Sequence, residues 1–132
     1  MPNSATATTT QSLYDRLGGN AGIEAIVHDI VEAHMANPII APRFLPYRET
    51  PDTLATVKGH LAKFLAEGTG GPDPYEGRSM PETHRGMNIS TAEYIAAVED
   101  IMQTLEAHRI DEETRQAVLA IAWSLKGEIV GQ

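Results

Sequence analysis

The stretch from Gly68 to Ile89 constrains this chain more than any other, because it interrupts a helical pattern and cannot itself be one continuous helix. Gly68, Gly70, Gly71 and Gly77 alternate with Pro72, Pro74 and Pro81. Glycine weakens a helix through backbone entropy, and proline lacks the amide hydrogen that a helix interior needs. Tyr75 and Met80 sit among these breakers, and His84 follows them. A solvated linker has little use for an aromatic ring, a thioether and an imidazole. The break is therefore expected to be a built connection that delivers His84 to a particular place.

On both sides of it, apolar residues recur every three or four positions, the period of an amphipathic helix. Ser12 to Gly19 reads as one or two turns, capped by Ser12 and stopped by a glycine pair. A long helix from Asn20 carries Ile23, Ile26, Val27, Ile30, Val31, His34 and Met35 on one face and ends at Asn37-Pro38. The segment to Thr50 holds Pro38, Pro42 and Pro46 around Phe44 and Tyr47, and is expected to be an irregular, partly buried connection. A second long helix starts near Pro51 and runs to about Glu67, with Leu54, Val57, Leu61, Phe64 and Leu65 as its stripe. His60, three residues after Val57 and four before Phe64, is assigned by spacing to its buried face. Ser79 caps a short helix that presents His84 before Gly86. Ser90 and Glu93 form a capping box for a third long helix, striped by Tyr94, Val98, Ile101 and Leu105. Asp111 caps a fourth, whose face is Val118, Ile121, Ala122, Leu125 and Ile129. No alternation of strand type occurs, so the fold class is all-α, with four substantial helices and two short ones.

The chain has 132 residues, which suits one domain, spanning 12–132 behind a flexible tail of residues 1–11. No apolar run approaches the roughly 20 residues of a membrane span, and a cytoplasmic location is expected. Cysteine is absent, which excludes disulfides, thiolate metal sites and cysteine nucleophiles. A net charge of -8 argues against a nucleic-acid partner, since phosphate binding needs a basic surface.

Without thiolates, metal binding falls to the five histidines, His28, His34, His60, His84 and His108. An isolated helical histidine is most often an ordinary half-buried residue. His108 lies at a helix C-terminus, where the helix dipole favours a cation. Of the pair on the first long helix, His34 has the better claim to the core. His60 and His84 differ, because a segment able to fold back joins their helices. Two imidazoles converging without a third ligand suit the axial positions of a haem iron better than a tetrahedral zinc site. Phe44, Val57, Leu61, Phe64, Leu65, Met80, Met87, Ile89, Val98 and Ile121 would line a flat apolar pocket, with Lys58, Tyr75, Arg78 and Arg85 meeting propionates. Two other readings stay open: a histidine phosphotransfer domain built on His60, and a cofactor-free helical interaction bundle.

Leu13 to Gly19, Gly70 to Met80, and His84 followed by Gly86 and Ile89 together resemble the group I (N-type) truncated haemoglobins. The resemblance implies a two-over-two helical sandwich around one haem b, with His84 as the proximal iron ligand. It implies partners among the diatomic gases O2, NO and CO, and a monomer. On the distal side the chain departs from the family. Val31 stands where many members carry a tyrosine, and Leu61 where a glutamine is common. His60 matches a histidine that some cyanobacterial and algal relatives donate to the iron, so six-coordination through His60 and His84 is expected. Lys126 stands where some of those relatives attach haem covalently through histidine, so non-covalent haem is expected. The segment between Phe44 and Val57 is about five residues longer than is typical, which would let Tyr47 enter the distal pocket. NO dioxygenation, electron transfer or peroxidase-like oxidation would each draw on a separate reductase or electron donor, because the chain encodes no flavin or nicotinamide domain.

Overall fold

A computed structural model of the protein describes residues 11–132. The expected tail lies outside the described residues except for Gln11, which is exposed. The first turn, α1 (Leu13–Arg16), is capped by the Ser12 hydroxyl, which accepts from the Asp15 amide at 3.1 Å. The chain then reverses through Gly18 and Gly19, with φ of 98° and 67°, a region that side chains with a Cβ avoid. Helix α2 (Gly19–Ala36) follows and buries Ile23, Ile26, Val27, Ile30, Val31, His34 and Met35, the stripe read from the sequence. Full burial of such side chains contributes about 1.5–3 kcal/mol each, so α2 is the anchor of the core.

The connection expected to be irregular is largely helical, as α3 (Ala41–Phe44) and a 3-10 turn (Leu45–Glu49). Pro42 and Pro46 fall at the starts of these short elements, where a missing amide hydrogen does no harm, and Pro38 lies in the turn before them. Helix α4 (Pro51–Gly68) crosses α2, and its fully buried residues are only Ala62 and Ala66. Leu54, Val57, Leu61, Phe64 and Leu65, its large apolar residues, are all half-buried.

From Thr69 to Ser79 the chain has no helix and wraps back along α4. Glu67 accepts the Tyr75 amide at 2.9 Å, and the Tyr75 ring meets Phe64 edge-on at 5.3 Å. The turn needs glycine at position 71, where a Cβ would lie 2.8 Å from both the Ala66 carbonyl and the Tyr14 ring. Next comes α5 (Met80–His84), which opens with a capping box: the Ser79 hydroxyl accepts from Glu82, and the Glu82 carboxylate accepts from Ser79.

The second layer is α6 (Thr91–Ala107), opened by the expected Ser90/Glu93 capping box, and α7 (Glu112–Ser124), capped by Asp111. Helix α2 packs on α6, and α6 on α7, giving two crossed pairs. The fourth predicted helix is broken at Leu125, after which α8 (Lys126–Ile129) continues its apolar face. Among the described residues the nearest thing to a strand is one isolated bridge, Ile89 to Val130.

Candidate functional site

An apolar cavity lies between the helix pairs. Ile26, Val27, Ile30 and His34 face it from α2, Arg43 and Phe44 from α3, and Leu61, Phe64 and Leu65 from α4. Met80 and His84 enter from α5, and Met87 and Ile89 from the turn after it. Helix α6 adds Glu93, Tyr94, Ala97, Val98 and Ile101, while Val118, Ile121, Ala122, Leu125 and Ile129 close the far side. The fold thus brings His84 together with nine of the apolar residues named from the sequence: Phe44, Leu61, Phe64, Leu65, Met80, Met87, Ile89, Val98 and Ile121.

His84 is prepared as a ligand by its own short helix. One ring nitrogen, Nδ1, lies 2.9 Å from the Met80 carbonyl, so it donates its proton there and leaves the Nε2 lone pair for a metal. Pro81 starts the helix without wasting an amide hydrogen, and the capping box holds its first turn.

His60 is placed differently from the sequence expectation. It is exposed, and it lines an outer groove with His28, Lys58, Lys63 and Tyr75 instead of the cavity of His84. At one position before Leu61, an α-helix rotates the side chain by about 100° away from the cavity. The outer groove is the more voluminous concavity, and the charged residues Glu24, Lys58, Lys63, Asp73 and Glu76 stand among those lining it. Seven further residues named from the sequence also lie away from the cavity of His84. Lys58 ties α4 to α2 through Glu32 at 3.3 Å and His28 at 3.0 Å. Tyr75 hydrogen-bonds the Arg78 carbonyl at 3.1 Å and backs Phe64 from outside. Arg78 and Arg85 are exposed, and Val57 is half-buried outside the cavity wall. Val31 is 0% exposed within the main core, and Tyr47 packs edge-on against Phe44, 6.5 Å between centroids, so neither forms the cavity wall.

Several polar wall residues were missed. His34 Nδ1 lies 2.8 Å from the Asp100 carboxylate, which also accepts from Asn37 Nδ2 at 3.2 Å to each oxygen. Burial pushes the His34 pKa below its ordinary value, and Asp100 opposes that shift through the hydrogen bond and its charge. Although the pair meets the distance criterion of a salt bridge, desolvation is the larger effect, so the ring is neutral and donates Nδ1–H to the carboxylate. Arg43 pairs with Glu93 through two bonds of 2.7 and 3.1 Å. That pairing, together with the Ser90 cap, holds the Glu93 carboxyl down at about 2. Tyr94 donates to the Ala122 carbonyl, and burial raises its pKa. The signal for Asp100 lay in register: Ala96, Asp100 and Thr104 recur every four residues on a second face of α6, and all three are buried.

A model of the bacterial-like globins matches residues 12–130 of this chain. The chain is a bacterial-like globin. It is 27% identical over 121 residues to the group 1 truncated hemoglobin of a Nostoc species, covering 92% of this chain and 98% of that one. The group 1 truncated hemoglobin of Mycolicibacterium paratuberculosis is 28% identical over 118 residues, covering 89% and 83% respectively. In structure, this globin superposes on the Fe(III) truncated hemoglobin of Tetrahymena pyriformis with a TM-score of 0.80 at 23% identity, over 92% of this chain and all of that one. It is similar also to the 2/2 hemoglobin of a Synechococcus species, a structure with covalently attached heme, with a TM-score of 0.79 at 24% identity, over 89% and 95% of the two chains. The all-α two-over-two sandwich expected from the sequence is the observed fold.

Haem b, bound without a covalent link, is the cofactor this family implies, and the residues of the globin fit it. The fit shows in the half-burial of Leu61, Phe64 and Leu65 on α4 together with Met80, Met87, Ile101, Ile121 and Leu125, apolar side chains that a flat ring would cover. Lys126, singled out in the sequence, has its Nζ 5.2 Å from the centroid of the Trp123 ring.

Proposed function

We propose that this globin binds one non-covalent haem b through His84 and takes a diatomic gas at the iron. The observation that carries the reading is the imidazole of His84, fixed through Nδ1 and set among apolar walls from every long helix. When bound, haem supplies reversible ligation of O2, NO or CO and one-electron exchange. The chain's own part is to hold the ring by His84, to exclude water with Phe44, Leu61, Phe64 and Val98, and to bring Arg43 to the cavity wall as a cation. Leu61 and the Ile26, Val27 and Ile30 wall of α2 give the gas an apolar approach. No tyrosine or glutamine donor stands there.

Addition of haemin to the purified protein should give a Soret band, and His84→Ala should lose it or make it reversible by free imidazole. A wild-type protein that produced no such band would sink the reading.

Six-coordination by His60 is the second reading, supported by its place next to Leu61 on a helix held by only two fully buried alanines. Reaching the iron would require α4 to turn, and it would lower apparent gas affinity by the fraction of protein with His60 bound. A low-spin ferric spectrum that turns high-spin in His60→Ala supports it, and identical spectra exclude it. NO dioxygenation, electron transfer and peroxidase-like oxidation follow as candidate activities. Each takes its electrons from a separate donor in the compartment where the protein works, proposed to be the cytoplasm.

A further inference from the structure

We propose that His34 is the proton-accepting group of the cavity, a role that rests on the haem reading above: its Nε2 takes the proton of a small protic ligand while Asp100, itself held by Asn37, fixes the ring. His34 is 6% exposed and its partner Asp100 8%, and His34 stands on a wall that is mostly apolar. Because the carboxylate accepts from Asn37 and from Nδ1–H, the neutral ring must carry its lone pair on Nε2. That nitrogen has no protein partner among the described residues. It is not a sealed orphan either, since Arg16 Nε is the one buried side-chain nitrogen or oxygen there without a partner. Nε2 therefore opens on the cavity that His34 lines.

The ring is also braced by Phe44, 5.1 Å away between centroids and tilted 41°. Held by Asp100 and Phe44, it acts on the incoming ligand and not as an iron ligand. A mere tether between α2 and α6 would need no open nitrogen. The charged groups facing it are few: Asp100 on α6, and the Arg43–Glu93 pair, which is self-compensating. Helix α4 presents only Leu61, Phe64 and Leu65 to the cavity, and His84 stands on the α5 wall.

For a weak acid such as hydrogen cyanide, the step balances simply. The bond from hydrogen to the ligand breaks, the electron pair stays on the anion, and the proton moves to Nε2. The resulting imidazolium is stabilised by the Asp100 carboxylate at Nδ1, so Asp100 is a positioning residue. Hydrogen peroxide is a protic ligand of the same class.

The test uses the full chain loaded with haemin and follows cyanide association with the ferric protein from pH 6 to 8. His34→Gln and His34→Phe should slow association by at least about tenfold and flatten its pH dependence. His28→Gln, an exposed histidine in the outer groove, should match wild type. Rates in both His34 variants within about twofold of wild type would overturn the proposal. So would a low-spin ferric spectrum lost in His34→Gln, which would make His34 a ligand. Because a buried substitution can disturb the fold, nitrogen-15 NMR of the unaltered haem-free chain gives a second check. It should show His34 protonated at Nδ1 and bare at Nε2, and the opposite tautomer would refute the idea. Absence of a Soret band would count against the haem reading, whereas a normal band with unchanged cyanide kinetics counts against His34 alone.

Discussion

Two polar pairs at the cavity respond to acid in separate windows. Burial lowers the His34 pKa, so as the pH falls below the ordinary value of 6.5 the unfolded imidazole takes a proton that the folded one refuses. Stability is therefore lost from 6.5 downward until the folded ring also titrates. Glu93 has its folded value depressed to about 2 from 4.5, chiefly by Arg43. Its contribution is complete above 4.5 and disappears as the pH falls toward 2. Urea unfolding followed between pH 7.5 and 3 should show a two-stage decline. His34→Gln should flatten the first stage and Arg43→Ala the second. A different change, Asp100→Ala, strands the buried His34 Nδ1–H and deprives the part-buried Asn37 Nδ2 of its acceptor, and should lower stability by about 2–3 kcal/mol at pH 7. Asp100→Asn, which keeps an acceptor, should cost less.

Helix α5 has only five residues, too few to be stable on its own, so its ends decide whether His84 stays in place. Ser79→Ala removes half of the capping box and should cost about 1 kcal/mol locally. Its expected sign is faster haem transfer to an acceptor globin with little change in midpoint of unfolding. The other end is tied to the chain terminus, because Gly86 donates to the Gln132 carbonyl at 2.8 Å and Gly131 to the Ile89 carbonyl at 2.9 Å. Truncation after Ile129 should therefore raise amide exchange at 86–89 more than in α2. The elements themselves were largely legible: the α2 and α6 stripes, the two N-caps at Ser90 and Asp111, and the proline-bounded start of α4 all stand where local chemistry put them. His60 was not. Spacing of three and four cannot separate a position inside a stripe from one on its flank when that stripe is only half-covered. The Asp100–His34 pair was missed for a related reason, because the pairing joins residues 66 apart and helical periodicity carries no cross-helix information.

At the scale of the molecule, the two layers are unequally finished. The α2 stripe is buried by α4 and α6 and belongs to a continuous core with Leu17, Leu105 and Val118. Leu61, Phe64 and Leu65 of α4 and Met80 and His84 of α5 face the cavity half-covered, so their burial is completed only by what the cavity holds. If that is haem, loading should stabilise the two regions unequally. Amide exchange with and without haemin should show protection rising most in α4 and α5 and least in α2, since binding adds free energy only to states whose walls are assembled. At ligand a hundredfold above its dissociation constant the whole-chain gain is about 2.7 kcal/mol. A uniform rise across all helices would mean instead that the empty sandwich opens as one unit, and that α4 is no looser than the core it lies against.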